Sequence, residues 1–434
     1  MEDEMVNARP EVSRYAWYVG WMLLLVGVIS MLDRKALVML AEPIKHDLHL
    51  SDTQLGLLTG GLFTLFYAIG SFPLARLSDR FSRVKIIGIC LMVWSVLTAA
   101  GGFATGFYSL AASRVGVAFG ESGAAPASHA LVAAHFPPAA RGRAYSLIMA
   151  GAPLGILFGL ALGGILNDLF DWRIALIVLG LPGVLVGLLV LLTVRDAMAP
   201  PRGPSGVSGS FASTARHVIA DPVLRNLLIG ASIMFLGIGA SNALFPAYIM
   251  RQYGIAASNV GLGFGLTLGV SGFIGSLMGG WLTDKIGRGV PSRPLRLFAY
   301  ALPLITVLTF ARLLAESYAT VLAIISVETL LYTMYAGPTF TALQARVGDA
   351  QRSMATAVLL FGINGFGSSL GPVIAGAISD HMVRTGSNPA LALQTGLLCI
   401  APSALVACLF FFRASFLYRR EELAAQAPNF VPST

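Results

Sequence analysis

The chain has 434 residues, of which 56% are hydrophobic and 12% are charged, and its formal net charge is +8. A soluble domain carries about 25% charged residues, so this composition excludes a large soluble domain. Apolar runs recur along the whole chain, and each is long enough to cross about 30 Å of hydrocarbon as a helix. The sequence therefore predicts an all-α membrane protein.

Twelve membrane spans are predicted from the lengths of these apolar runs and the polar segments between them. In chain order they cover residues 17–41, 53–77, 84–104, 107–135, 142–168, 172–194, 223–250, 258–282, 294–313, 317–343, 353–379 and 391–412. Most of the 29 basic residues then fall in the segments that share a side with the N-terminus. Because basic loops stay in the cytoplasm, the bias predicts that both termini are cytoplasmic. The short loops and compact termini indicate a multi-pass protein of a cell inner membrane.

A linker divides the predicted spans into two groups of six. Residues 196–222 are rich in Pro, Gly and Ser, which is typical of a flexible cytoplasmic connection. The predicted domains are an N-terminal bundle, 1–195, and a C-terminal bundle with a cytoplasmic tail, 223–434. The loops after the second and eighth spans, ARLSDRFSR and GWLTDKIGR, are similar and occupy equivalent positions, which indicates duplicated halves.

The repeated loop resembles the Gly-x-x-x-Asp-Arg/Lys-x-Gly-Arg signature of the major facilitator superfamily. The second copy matches fully, whereas Ala75 and Ser82 replace both glycines in the first. The resemblance implies twelve transmembrane helices in two pseudo-symmetric six-helix bundles that work by alternating access. It also implies a gating role for four loop charges: Asp79, Arg83, Asp284 and Arg288. Ordinary cytoplasmic loop charge is the alternative, and it leaves the two repeated acids unexplained.

Small residues recur at helical spacing in two spans. Gly151, Gly155, Gly159 and Gly163 form a stripe on the fifth span, and a second stripe runs along the eighth span between Gly261 and Gly280. Such stripes let helix backbones approach closely. We expect the two stripes to meet and to seal the two halves together.

Few ionisable residues lie deep in the spans: Asp33 and Arg34 in the first, Arg114 and Glu121 in the fourth, and Glu328 in the tenth. A charge at this depth costs at least about 2.5–3.5 kcal/mol, so each should face protein or water. At 1.5 Å per residue, Asp33, Arg34 and Arg114 share a level, which predicts a direct or water-bridged Asp33–Arg114 pair. Glu121 lies about two turns deeper without a basic neighbour. The alternative is that these charges only staple helices together.

Buried carboxyls beside arginines suit proton-coupled transport, because a carboxyl can load and release a proton while an arginine holds an anion. The Asp-Arg of the first span and the Arg…Gly-Glu of the fourth resemble the spinster-like transporters and, equally, the anion:cation symporters. The resemblance implies proton coupling by Asp33 and Glu121 and substrate binding by Arg34 and Arg114. Further candidate substrate-binding residues are Tyr67, Asn242, Glu328, Tyr332 and Asn364, with helix packing as the alternative for Glu328.

The predicted function is secondary active transport of an amphipathic or anionic small molecule, lysolipid-like or an organic acid, coupled to protons. The alternatives are a symporter of sugar acids or aromatic acids, a drug/proton antiporter and a channel. We expect no enzyme, because no nucleophile accompanies the carboxyls, and no cofactor, metal or nucleic-acid partner. The expected partners are the substrate, protons and the lipid bilayer, and the protein is expected to be a monomer.

Overall fold

The computed structural model describes residues 12–196, 211–287, 290–348 and 351–426. Within these ranges the chain consists of helices and short connections, with no strand, which confirms the predicted fold class. Eleven helical stretches in the described chain are long and apolar enough to cross a membrane. The remaining predicted span, the fourth in chain order (107–135), consists of two shorter helices that meet at Gly123.

The helices pack as two compact units. Unit 1 combines the described residues of Met1–Pro204 with Asn242–Gly269, and unit 2 combines those of Ser205–Ser241 with Val270–Thr434. Two long helices, Pro222–Tyr253 and Ala257–Gly287, contribute to both units. The bundles predicted as functional halves, 1–195 and 223–434, stay a prediction.

The helices of the first 196 residues belong to unit 1. They are α1 (Arg14–Met39), α2 (Ala41–Leu48), α3 (Asp52–Gly56), α4 (Leu62–Arg80), α5 (Arg83–Gly101), α6 (Phe107–Ser122), α7 (Ala124–His135), α8 (Pro138–Met149), α9 (Gly151–Leu169) and α10 (Trp172–Thr193). The later helices are α11 (Phe211–Ala220), α12 (Pro222–Tyr253), α13 (Ala257–Gly287), α14 (Ser292–Leu313), α15 (Tyr318–Thr333), α16 (Ala336–Arg346), α17 (Arg352–Phe361), α18 (Ser369–Arg384), α19 (Pro389–Ile400) and α20 (Ser403–Gln426).

Polar residues set several helix ends. The Ser13 hydroxyl accepts the amide of Ala16 at the start of α1, and the Asp171 carboxylate accepts the amide of Ile174 at the start of α10. Such caps satisfy amides that have no partner within the helix. Prolines interrupt several helices, and Pro303 in α14 leaves the carbonyl of Ala299 without its helical amide. That carbonyl accepts the thiol of Cys408 at 3.3 Å, so this cysteine has a structural hydrogen bond.

Two π-helical turns interrupt the regular helices, one at Leu57–Gly61 before α4 and one at Gly362–Ser368 before α18. A π-helical turn holds an extra residue compared with an α-helix and is frequent at functional sites. The first turn is relevant to function because α4 carries two aromatic residues of the candidate site described below.

The glycine stripe of α9 packs against α1, and the prediction that it meets the stripe of α13 is wrong. A methyl group added at Gly151 would lie 2.8 Å from the Leu24 carbonyl oxygen, and one at Gly159 would lie 2.6 Å from that of Leu32. Any side chain there would push the two backbones apart. The stripe therefore fixes α1, which carries Asp33 and Arg34, within unit 1.

The stripe of α13 does meet α9, but on another face of that helix. A methyl group added at Gly265 would lie 2.9 Å from the Leu157 carbonyl oxygen, and one at Gly269 would lie 3.3 Å from that of Pro153. The amide of Ser258 also donates to Asp168 at 2.8 Å. The fifth and eighth predicted spans are thus neighbours within unit 1, as expected, although only one of the two stripes forms the contact.

Part of the predicted linker is ordered helix. Residues 211–220 form α11, which buries Thr214 and Val218. The ring of Phe211 lies edge-on to Phe361 of α17, with 6.0 Å between centroids. The prediction of a flexible segment throughout 196–222 is therefore wrong for these residues, because an amphipathic stretch follows the Pro- and Gly-rich part, and residues 197–210 lie outside the described chain.

Candidate functional site

A buried ion pair joins α1 to α6 in unit 1. The Nε atom of Arg34 donates to Oε1 of Glu121 at 2.6 Å, and a terminal nitrogen of Arg34 lies 2.5 Å from the same oxygen. The Ser30 hydroxyl donates to this oxygen as well. The other oxygen, Oε2, is buried and has no hydrogen-bond partner in the described chain. Glu121 therefore uses one oxygen for all of its partners and leaves the other bare.

Aromatic rings support the guanidinium of Arg34. Its Cζ atom lies 4.6 Å from the ring centroid of Phe63 and 4.4 Å from that of Tyr67, both on α4. The Cζ atom of Arg114 lies 5.1 Å from the Phe63 ring. An arginine over an aromatic face gains roughly 0.5–1 kcal/mol at exposed sites and more when desolvated. The rings thus hold two cations close to one carboxylate. Tyr67 lies in this cluster, and its predicted role in substrate binding stays a prediction.

Asp33 takes no direct part in the Arg34–Glu121 ion pair. It is fully buried, and its Oδ2 accepts the hydroxyl of Thr98 on α5 at 3.4 Å. Its Oδ1 atom has no hydrogen-bond partner among the described residues, and the same holds for Nε of Arg114. No direct salt bridge joins these two described side chains, although each lies within electrostatic range of the other. The direct form of the predicted Asp33–Arg114 pair is therefore wrong, and the water-bridged form stays a prediction.

The reason lies in helix geometry. Consecutive residues on a helix point about 100° apart, so Asp33 and Arg34 meet different hydrogen-bond partners even though they lie at nearly the same depth. The sequence argument compared only depth along the helix axes and left out rotation about them. The expectation that Glu121 lacks a basic partner fails for the same reason, because the long side chain of Arg34 reaches it.

A second buried ion pair lies in unit 2. The Nε atom of Arg312 on α14 lies 2.6 Å from Oε2 of Glu328 on α15. The Thr309 hydroxyl donates to Oε1 of Glu328 at 2.8 Å, and Arg312 donates to the Ser241 hydroxyl at 2.7 Å. Arg312 is not among the buried charges predicted from the sequence, because it lies one residue from the end of α14. The only signal for its burial was an acid without an evident partner in the next span.

The remaining predicted substrate-binding residues are spread over α12, α15 and a π-helical turn. Tyr332 packs against the hydrophobic core of unit 2. Asn364 donates to the Leu360 carbonyl at 3.0 Å within its own helix. Asn242 is half-buried on α12. Their roles in substrate binding stay predictions.

The predicted gating residues are only partly described. Arg83 donates to the Ala130 carbonyl of α7 at 3.5 Å, and Asp284 is exposed near the end of α13. The side chain of Asp79 and all of Arg288 lie outside the described part of the structure. The gating role of these four residues stays a prediction.

A further ionic cluster in unit 1 was not predicted. Arg251 near the end of α12 contacts both oxygens of Glu42 on α2, at 2.7 and 2.6 Å, and both of Asp52 at the start of α3, at 3.0 and 2.7 Å. Lys45 also lies 2.5 Å from Asp52. Forked contacts of this kind are the strong, geometrically specific ones. The cluster ties the end of α12 to the connection between the first two predicted spans.

At the opposite end of α12, Asp221 caps the helix and binds Arg346. Its Oδ1 accepts the amides of Val223 and Leu224, and its Oδ2 accepts two nitrogens of Arg346, at 2.9 and 2.7 Å. Burial alone would raise the pKa of Asp221, but the hydrogen bonds from Arg346 and the two backbone amides outweigh it. The pKa of Asp221 therefore lies below its usual value.

The sequence profile of the Major Facilitator Superfamily matches residues 23–372 of this chain. The chain belongs to the major facilitator superfamily. The fold and the family are those of a membrane transporter, and the predicted resemblance to its spinster-like group is confirmed by a solved structure. That structure, a bacterial homologue of the human lysosomal transporter Spinster in an inward-facing, unoccupied conformation, aligns with a TM-score of 0.84 and 25% identity, over 95% of this chain and 99% of the other.

Two relatives within the superfamily align along most of the chain. An MFS-type efflux pump of Mycolicibacterium smegmatis is 33% identical over 415 residues, which are 94% of each chain. The hexuronate transporter of Bacillus subtilis is 26% identical over 402 residues, which are 88% of this chain and 92% of that one. These similarities extend through both predicted bundles.

Proposed function

We propose that this superfamily member is a proton-coupled secondary active transporter that moves a small molecule with an anionic head group by alternating access. The proposal assigns proton coupling to Glu121 and Asp33 and anion binding to Arg34 and Arg114. The observation that carries it is the Arg34–Glu121 pair, in which one carboxylate oxygen takes all donors and the other is bare and buried.

A proton on the bare Oε2 atom would neutralise Glu121 without displacing its existing hydrogen bonds. The guanidinium stays charged at any physiological pH, so it would then lack an ionic partner in a site from which water is largely excluded. An anionic head group can take that place. Protonation of Glu121 and binding of the anion thereby favour each other, and this mutual dependence is the thermodynamic basis of symport.

Asp33 supplies a second carboxyl for protons. A buried carboxyl without an ionic partner is more stable as the neutral acid, because a bare charge in a low-dielectric site is costly. Asp33 contacts Thr98 and not Arg34. It can therefore carry a proton without competing with Glu121 for the guanidinium of Arg34.

The proposal extends to topology and gating. We place the protein in a cell inner membrane as a monomer with both termini cytoplasmic, and Asp79, Arg83, Asp284 and Arg288 in a cytoplasmic latch. The substrate class is either a sugar or organic acid, which the similarity to a hexuronate transporter favours, or a lysolipid-like amphiphile, which the similarity to a Spinster homologue favours.

The test is uptake into proteoliposomes with an imposed pH gradient, acidic outside. Glucuronate and lysophosphatidate serve as the two labelled probes, and a pH-sensitive dye inside the vesicles reports proton movement. We expect one probe to accumulate together with internal acidification, and the gain to disappear with a protonophore. Uptake of either probe that is insensitive to the gradient would contradict proton coupling.

A second candidate is export of an apolar compound in exchange for protons, and the similarity to an efflux pump supports it. In that case the compound and the proton compete for the same site. Vesicles loaded with the compound should then take up protons through the wild-type protein as the compound leaves. Neither anionic probe would then be accumulated. The same vesicles, loaded with a fluorescent hydrophobic cation, separate the two candidates.

A further inference from the structure

An apolar cavity of about 270 Å³ lies in unit 2 between the last third of α13, the first half of α14 and the junction of α15 and α16. Its walls include Gly279, Thr283, Phe298, Ala301, Leu331 and Pro338. The size is near the lower end of ligand pockets, which run from roughly 300 to 1,000 Å³. The cavity is separate from the buried ion pairs and has no part in the proposed transport mechanism.

The walls offer almost nothing to a polar ligand. The Thr283 hydroxyl already donates its proton to the Gly279 carbonyl at 2.7 Å, so it cannot donate a hydrogen bond to a guest. Burying an unpaired polar group costs roughly 1–3 kcal/mol on protein scales, which excludes sugars and acids as occupants. The part of the occupant that enters this cavity must therefore be hydrocarbon.

The cavity opens where the helices present apolar side chains outward. Leu297 and Tyr300 line it, and Tyr300 is 63% exposed. On α13, Leu282 lines the cavity, and the exposed residues Met278 and Trp281 precede it by one turn and by one residue. Both helices are membrane-spanning by length and composition, so these faces meet lipid tails. The nearest source of hydrocarbon is therefore the bilayer itself.

Basic residues lie at one end of this region, near the end of α13 and the start of α14. Lys285 lies one turn beyond Trp281, with its Nζ atom 4.5 Å from the indole centroid, and Arg293 lies one turn before Leu297. Both are exposed, and Arg296 beside them is half-buried. Two described carboxylates lie nearby: Asp284 in sequence, and Glu422, which accepts hydrogen bonds from Ser292. The three basic residues outnumber them, so the charge at this end is positive. The bias of basic residues assigns this end to the cytoplasmic leaflet.

We propose that this cavity binds one acyl chain of an anionic phospholipid of the cytoplasmic leaflet, with the lipid phosphate held by Lys285 and Arg293. The site does not depend on the proposed transport function, because it shares no residue with it. Basic residues near a membrane surface attract anionic lipids, each by a modest amount, and the cavity adds the specificity that a smooth lipid-facing surface lacks.

The test is native mass spectrometry of the purified full chain in detergent with equal amounts of phosphatidylglycerol and phosphatidylcholine of identical acyl chains. We expect wild-type protein to retain one phosphatidylglycerol at about tenfold higher occupancy than phosphatidylcholine. Ala301→Phe fills the cavity and should abolish this bound lipid. Leu304→Phe is the matched control, because Leu304 is exposed on α14 and does not line the cavity, and it should retain the lipid.

Lys285→Ala combined with Arg293→Ala keeps the cavity and removes the exposed charges, so it should erase the preference for phosphatidylglycerol while the protein stays folded. This variant decides the question if Ala301→Phe does not fold. Equal retention of both lipids by wild-type protein, or an unchanged preference in the charge variant, overturns the proposal. Displacement of phosphatidylglycerol by an equal amount of free fatty acid overturns it too, since it would mean a site for free acids.

Discussion

Each unit contains one buried arginine–glutamate pair, and the two pairs differ in which side chain is the more exposed to solvent. In the Arg34–Glu121 pair the arginine side chain is 24% exposed and the glutamate 1%. In the Arg312–Glu328 pair the arginine is 2% exposed and the glutamate 11%. The first arginine lies against two aromatic rings, whereas the second donates to the Ser241 hydroxyl.

This difference separates a pair that can exchange partners from one that cannot. The guanidinium of Arg34 is partly exposed, so an incoming anion can reach it. The rings of Phe63 and Tyr67 do not depend on Glu121, so we expect them to stay against Arg34 when the ion pair breaks. Arg312 is enclosed, so an anion could reach it only after the helices separate. We therefore expect the first pair to act in transport and the second to stabilise unit 2.

The largest effect is expected from Arg312→Ala. It leaves Glu328 buried without its ionic partner, which costs about 3–5 kcal/mol in comparable cases. Thermal unfolding of the purified protein measures the loss. The double change Arg312→Ala with Glu328→Gln should recover much of the stability, because no charge is then stranded. Equal unfolding temperatures for wild type and Arg312→Ala would show that the second pair is not structural.

Glu121→Gln should abolish accumulation driven by a pH gradient and preserve exchange of labelled for unlabelled substrate. The amide resembles the protonated acid in shape and charge, so the protein can bind substrate and change conformation but carries no proton there. Glu328→Gln is the matched variant and should keep gradient-driven uptake. The reverse outcome, with coupling lost only in Glu328→Gln, would exchange the roles of the two pairs.

Arg34→Lys should weaken apparent substrate affinity by about tenfold, since it removes the Nε donor and the planar stacking on Phe63 and Tyr67. Initial rates of uptake against substrate concentration give this value. Arg312→Lys should change the unfolding temperature and leave the apparent affinity alone. An affinity change of the same size in both variants would remove the distinction between the pairs.

The smallest effect is expected from Asp221→Asn, at an ion pair outside the predicted spans. Because the pKa of Asp221 is lowered in the folded protein, the charged form stabilises the fold above the unfolded pKa of about 3.9. That stability is lost as the pH falls through the folded pKa. The variant should therefore unfold at a slightly lower temperature than wild type at pH 7, and at the same temperature once the pH lies below the folded pKa of Asp221. Asparagine keeps the helix cap, so a difference that persists in acid would have another cause.

The sequence predicted the helices well because hydropathy and helix length are properties of single segments. It also found four of the charged residues at the candidate site, since ionisable side chains in apolar runs are conspicuous. It did not find their partners. Ser30, Phe63 and Thr98 are ordinary residues of a membrane span, and only the rotation of each helix about its axis decides which of them meets a charge. The same limit applies to the glycines of α9, whose spacing reveals a close contact but not the identity of the neighbouring helix.

The π-helical turn at Leu57–Gly61 fixes the phase of everything that follows it on α4. One extra residue in a helix rotates the remainder by about 100°, which is the difference between facing a guanidinium and facing a neighbouring helix. A chain one residue shorter in this turn could form a regular helix, but Phe63 and Tyr67 would then point away from Arg34. A single-codon insertion or deletion in this turn would thus change the geometry of the proposed anion site without altering any residue that contacts the anion.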